Sequence, residues 1–120
     1  VNVAIFVPSF LYALHEYLEQ TNQHHMLRSM RQIVFGGEAA HATRLKPIFT
    51  ALSRPPLFVE LVNGYGPAET CVLAAYHRVT QQDLDHNIVP IGVPLPNYTC
   101  YILDEHRTPV PIETLGELYI

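Results

Sequence analysis

Two stretches combine residue types and spacings that could do chemistry. The first is Val34-Phe35-Gly36-Gly37-Glu38. Paired glycines after an apolar run let backbone approach a flat or charged ligand with no Cβ in the way. The same pair also suits an ordinary tight turn. The second is Asn63-Gly64-Tyr65-Gly66-Pro67-Ala68-Glu69-Thr70. Asn63 has an amide that both donates and accepts, as recognition of a base edge requires. Tyr65 is a rigid plane between two glycines, suited to stacking on an aromatic ring. Glu69 is a carboxylate of the kind Mg²⁺ takes alongside phosphate oxygens. A β-turn with a core tyrosine and a solvated glutamate would account for the same residues. The stretch is not a Walker A loop, because no Gly-Lys-Ser/Thr closes it. Nor is it a dinucleotide fingerprint, because Glu69 stands where the third glycine belongs.

Other reactive side chains carry less. His24-His25 is read as a solvated helix exit. His15, His41, His77, His86 and His106 show no ligand spacing with a cysteine or a second histidine. Cys71 follows Glu69-Thr70 but has no evident base beside it, so a catalytic thiol is not expected. Asp83 and Asp85 flank Leu84 in what reads as a polar, solvated loop.

The elements that must position the two stretches follow from periodicity. Val1 to Val7 is apolar and rich in β-branched residues, as a strand buried in a parallel sheet would be. Leu11, Leu14 and Leu18 then recur at helical spacing, with Ser9 as the expected cap. Arg31 to Phe35 reads as a second strand, ending at Gly36-Gly37. Leu45, Ile48, Phe49 and Leu52 mark a second helix, with Thr43 as the expected cap. Pro47 is acceptable there only near the helix start. Arg54-Pro55-Pro56 stops that helix, and Leu57 to Val62 is a third strand that ends at Asn63-Gly64. Val72 to Val79 tilts to strand. The order is that of parallel strand–helix–strand units, and ligands bind at the carboxyl edge of such sheets. Five of the ten prolines fall from Pro90 onward, where helical periodicity disappears. Tyr98 to Leu103 and Leu115 to Ile120 read as strands of a β-rich segment. The expected fold class is α/β: a parallel strand–helix layer followed by a β-rich, Pro-rich segment.

Composition narrows the function. The 120 residues carry 7 Lys+Arg against 11 Asp+Glu, a net charge of −4. A basic excess is what nucleic acids and anionic membranes attract, so neither is an expected partner. Hydrophobic residues make up 48% and charged residues 15%, a globular balance. No apolar run is long enough for a membrane helix. Two cysteines without a partner spacing suit reduced thiols, and hence a cytoplasmic protein. The chain begins and ends in apolar runs, whereas domain termini are usually polar. The expectation is therefore an interior piece of a larger domain.

Four segments in order carry a family resemblance. Asn63-Gly64-Tyr65-Gly66-Pro67-Ala68-Glu69-Thr70 resembles the Asn-x-Tyr-Gly-Pro-Thr-Glu motif of adenylate-forming (AMP-binding) enzymes, specifically the adenylation domains of nonribosomal peptide synthetases. Phe35-Gly36-Gly37-Glu38-Ala39 resembles their upstream Gly-Gly-Glu-Ala segment. Pro90-Ile91-Gly92-Val93-Pro94-Leu95-Pro96-Asn97 resembles their Pro-Ile-Gly-x-Pro-x-x-Asn segment. Tyr101 to Asp104, Pro109 to Pro111 and Gly116-Glu117-Leu118-Tyr119-Ile120 resemble the stretch into their Gly-Glu-Leu-x-Ile motif.

The resemblance implies an activity. An amino-acid carboxylate attacks the α-phosphate of ATP, and the acyl group then passes to the phosphopantetheine thiol of a carrier domain. It implies ATP and Mg²⁺, with carrier and condensation domains as partners. Glu69 would be the catalytic, Mg²⁺-holding residue. Gly36, Gly37, Glu38, Asn63, Gly64, Tyr65, Gly66 and Ala68 would bind ATP or AMP. Tyr65 would stack on adenine, Asn63 would bond its amino edge, and Gly66 would let the chain pass the α-phosphate. Ala68 departs from the usual threonine and removes a hydroxyl from the phosphate site. Ile5, Val34, Gly36, Gly64, Val72 and Leu73 would line the side-chain pocket. These six are apolar or glycine, the two glycines are expected to leave room, and a bulky apolar amino acid is the expected substrate. The resemblance places residues 1–120 within one adenylation domain, with an α/β part over 1–80 and a β-rich part over 81–120. An acyl- or aryl-CoA ligase of the same superfamily is one alternative, and a non-catalytic nucleotide-binding or scaffold module is another. The family's phosphate loop, ribose-binding acidic residue and late lysine are not among these residues. The 120 residues alone are therefore expected to be inactive.

Overall fold

The computed structural model describes residues 2–120; Val1, the first residue of the expected first strand, lies outside the described residues. Strand β1 (Val3–Phe6) leads into helix α1 (Pro8–Thr21), and β2 (Gln32–Gly36) leads into α2 (Ala42–Leu52). Strand β3 (Glu60–Tyr65) follows, then β4 (Ala75–Arg78), a short helix α3 (Gln81–Asp85), and strands β5 (Val93–Pro94), β6 (Tyr101–Leu103) and β7 (Glu117–Tyr119). The main sheet has the order β1-β2-β3-β4-β5. Its first three strands are parallel, with Ile5, Val34 and Val62 in one row. β4 and β5 add on antiparallel. β6 and β7 form a separate antiparallel pair.

Strand alternation sorts the two faces of the sheet. Ile33, Phe35 and Leu61 point to the face that α1 and α2 cover, and each is at most 2% exposed. Leu11 and Tyr12 of α1, and Leu45, Ile48 and Leu52 of α2, close this core. Complete burial of a side chain of this size contributes about 1.5–3 kcal/mol, so this layer is the rigid platform beneath the strand ends. The opposite face carries Ile5, Val34, Gly36 and Gly64.

Several local expectations need correction. Ser9 and Thr43 are not helix caps. Pro8 takes the first position of α1, where its missing N–H costs nothing, so the cap is Val7. α2 likewise starts two residues early, at Ala42 after the cap His41. Pro47 therefore sits inside α2, on its exposed side. The third strand does not end at Asn63-Gly64: both pair with β2 and β4, as Asn63 with Phe35 and His77, and Gly64 with Gly36 and Tyr76. Residues 81–85 are not a loop. Thr80 and Asp83 form a capping box that nucleates α3, a Thr-x-x-Asp pattern visible in the sequence. Asp83 also meets His77 Nε2 at 2.8 Å. Burial pushes the Asp83 carboxyl up, but hydrogen bonds from Thr80 and His77 outweigh it and hold the group below its ordinary value. Asp85 pairs with Lys46 of α2 at 2.7 Å.

Candidate functional site

A cleft of about 540 Å³ opens at the carboxyl ends of β2 and β3. That is within the usual range for a small-molecule site, about 300–1,000 Å³. One wall is the loop Gly37 to Ala40, and the other is Asn63 to Pro67. Val89 and Ile91, from the segment before β5, close a third side.

The glycines are required by close approach. A Cβ on Gly36 would collide with the Gly64 carbonyl in the neighbouring strand. A Cβ on Gly64 would lie 2.5 Å from Leu73 Cδ2 and 3.2 Å from Val34 Cγ1. One on Gly66 would lie 2.7 Å from the Ala74 nitrogen. The expectation that Gly36 and Gly64 leave room for a substrate is thus corrected: protein atoms occupy the space. Gly37 differs, with a left-handed backbone (φ +81) and no close neighbour.

Among the described residues Asn63 is the one buried polar side chain, 8% exposed. Its Nδ2 donates to the Pro90 carbonyl at 2.8 Å. The bond ties the Pro90-Ile91 segment to β3 and fixes the amide. Oδ1 has no hydrogen-bond partner among the described residues, so the acceptor half of the amide remains available. The Tyr65 ring, two residues on along the strand, is 38% exposed. Glu38 has a role that sequence reading misses. Its carboxylate accepts from the Ser9 backbone N–H and from Ser9 Oγ, each at 3.0 Å. It therefore caps α1 from a distance, where a helix start favours an anion, and anchors the Gly36-Gly37 loop. No local pattern signals a pairing across 29 positions.

Beyond the cleft, Ala68–Thr70 form one 3₁₀ turn. Glu69 is exposed there, with no hydrogen bond or ion pair among the described residues. An uncommitted carboxylate with an oxygen-only donor set fits Mg²⁺, which keeps waters and takes phosphate oxygens beside one or two carboxylates. Cys71 and Val72 follow with left-handed backbones, φ 58 and 77. Such a conformation in a β-branched residue costs of order 1–3 kcal/mol, so the turn is held under strain. Val72 is largely exposed. Ile5, Val34, Gly36 and Gly64 share the open face of the sheet, and Leu73 packs on Gly64.

Two other features lie apart from the cleft. A groove of about 440 Å³ runs between α1 and α2. Its cation, Arg44, is already engaged by Glu16 at 3.2 Å and by the Tyr12 ring at 4.1 Å. The reading of His24 as solvated is also corrected. The turn after α1 folds it back against His15 and Glu19, which lie nearby only because the chain reverses at Asn22.

The chain matches the protein family described as AMP-binding enzyme over residues 1–120. It is 36% identical over 94 residues to bacitracin synthase 1 of Bacillus licheniformis, covering 78% of this chain and 2% of that protein. It is 33% identical over 120 residues to malpibaldin synthetase of Mortierella alpina, covering 100% of this chain and 2% of that one. Among solved structures it resembles PA1221, an NRPS protein containing adenylation and PCP domains. The TM-score is 0.79 and the identity 29%, over 98% of this chain and 22% of that chain. The chain spans between 1% and 10% of the length of such curated relatives.

Proposed function

This chain belongs to the AMP-binding enzyme family, in its nonribosomal-peptide-synthetase adenylation branch, and on that premise we propose that it supplies the adenine slot and one metal-binding carboxylate for activating an amino acid. The observation that carries the reading is the cleft itself. An amide pinned through its donor side, with a free acceptor, suits the exocyclic amine of adenine. The half-exposed Tyr65 ring offers a stacking plane beside it. Gly36 and Gly37 border the ring by backbone, with Glu38 holding their loop in place. Gly64 and Gly66 let the chain pack closely on Leu73 and on the Ala74 backbone, which fixes the position of Tyr65 between them. Glu69 would hold Mg²⁺, which when bound would supply positive charge to the phosphate oxygens.

In this reading the amino-acid carboxylate attacks the α-phosphorus and pyrophosphate leaves. The phosphopantetheine thiol of a carrier domain then attacks the aminoacyl-adenylate, forming a thioester and releasing AMP, within a cytoplasmic synthetase that also has condensation domains. Ile5, Val34, Val72 and Leu73, with the backbone of Gly36 and Gly64, form an apolar border for the amino-acid side chain. A charged side chain would find no partner among them, which supports a bulky apolar substrate. ATP–pyrophosphate exchange by the natural protein carrying this chain, run across amino, fatty and aryl acids, tests the reading. Exchange with an apolar amino acid supports it. Exchange with a fatty or aryl acid alone points to a CoA ligase, and none at all to a scaffold module.

Two predictions arise here. Ala68→Thr restores a hydroxyl at the phosphate end of the cleft. A hydrogen bond to a charged group contributes about 1.5–3 kcal/mol, so kcat/KM for ATP should rise by about tenfold to a hundredfold in exchange assays. The 120 residues alone should form no aminoacyl-adenylate. Among the described residues none bordering the cleft is basic, and the only lysine, Lys46, is paired with Asp85 on α3. Among the described residues bordering the cleft, nothing offsets the charge of a triphosphate. Detection of aminoacyl-AMP from this peptide would contradict the prediction.

A further inference from the structure

We propose that His15, Glu19 and His24 form a Zn²⁺ site at the end of the fold away from the nucleotide cleft. α1 runs back from the cleft edge of the sheet, so its last turns lie at the opposite edge. His15 and Glu19 are four residues apart and share one helix face. Asn22, with φ 53, ends the helix in a left-handed residue. The turn His24–Leu27 then returns His24 to that face. The His15 and His24 rings lie 5.7 Å apart, and His24 Nε2 is 3.6 Å from Glu19 Oε1. One ligand atom from each of the three lies within 4.8 Å of the other two.

A second observation points to a ligand. His24 Nε2 is buried and has no hydrogen-bond partner among the described residues. Around it Leu18, Leu27, Ile33 and Leu52 form an apolar slot. A buried polar atom without a partner is unusual in a native fold and costly. A metal ion would satisfy it. Two imidazoles and one carboxylate suit Zn²⁺, with water in the fourth position, and do not suit Mg²⁺. Tetrahedral Zn²⁺ needs ligand atoms about 3.4 Å apart. Glu19, whose side chain is 59% exposed, is free to close the remaining distance. Glu16, the other nearby carboxylate, is committed to Arg44.

The test measures Zn²⁺ affinity of the natural protein carrying this chain, by competition with a chromophoric chelator. Variants are His24→Asn, Glu19→Gln and, as a control outside the cluster, His106→Asn. Loss of an outer-shell partner already weakens a metal site by about 10–100-fold, so loss of a direct ligand should cost at least tenfold. His24→Asn and Glu19→Gln should show that loss, and His106→Asn should not. Co²⁺ should give the visible absorption of a tetrahedral site in the parent, and His24→Asn should abolish it. Should His24→Asn fail to fold, the exposed Glu19→Gln decides alone. Equal affinities for parent, Glu19→Gln and His106→Asn, or no Zn²⁺ binding by the parent, would overturn the proposal.

Discussion

Glu69→Ala should lower amino-acid-dependent ATP–pyrophosphate exchange by about 10²–10³-fold while leaving the melting temperature unchanged. The two halves of this prediction rest on different facts. Glu69 is exposed and makes no hydrogen bond or ion pair among the described residues, so its removal takes nothing from the fold. In the proposed site it is the uncommitted carboxylate among the described residues, since Glu38 at the cleft is engaged by Ser9. Removing one preorganised electrostatic contact to a charged transition state typically costs about 10²–10³ in rate. Raising Mg²⁺ should recover part of the loss, because the defect is in metal retention. Unchanged exchange would remove Glu69 from the site and favour the scaffold alternative.

Gly36→Ala should destabilise the fold by about 2–3 kcal/mol and abolish measurable nucleotide binding. Overpacking a tight contact costs typically 1–3 kcal/mol. This case falls at the upper end, because the new methyl meets the Gly64 carbonyl and not a side chain able to rotate away. Relief requires β2 and β3 to separate where they pair, Gly36 against Gly64. That moves both walls of the cleft. Gly37→Asn is the matched control. Gly37 has φ +81, which asparagine tolerates better than most residues, and its nearest neighbour, Val7 Cγ1, would lie at an ordinary 3.8 Å. Chemical denaturation of the two variants should show a clear loss for Gly36→Ala and a small one for Gly37→Asn.

The contrast between these glycines shows where sequence reading succeeds and where it stops. The apolar runs around Ile5, Val34 and Val62 announce parallel strands, but burial on both faces is not met throughout: β1 is the sheet's edge strand and Ile5 is 65% exposed. The glycine stretches at their ends are legible as a ligand edge for the same topological reason. Gly64 nevertheless reads as a break, whereas it lies within β3. A glycine marks a turn or a close approach with the same letter, and only the position of Leu73 separates the two. Both helices start two residues before the expected position, since Pro8 and Ala42 already lie inside the helices ahead of Ser9 and Thr43, the expected caps. The Thr80–Asp83 box is written in the sequence, hidden by the polar residues around it. The Glu38–Ser9, Asn63–Pro90 and His15–His24 contacts are not legible, because they depend on how separate elements or a chain reversal meet in space. The family resemblance names the adenine slot; the geometry adds that Asn63 is pinned by its donor and that Glu38 serves a helix.

Every role proposed at the cleft depends on where the nucleotide lies. A crystal structure of the natural protein carrying this chain, soaked with ATP, tests it most directly. The predicted result is an adenine ring stacked on Tyr65 and bordered by Gly36-Gly37, with its amine donating to Asn63 Oδ1. Adenine in the groove between α1 and α2, or anywhere else away from Tyr65, would remove the cleft as the adenine slot.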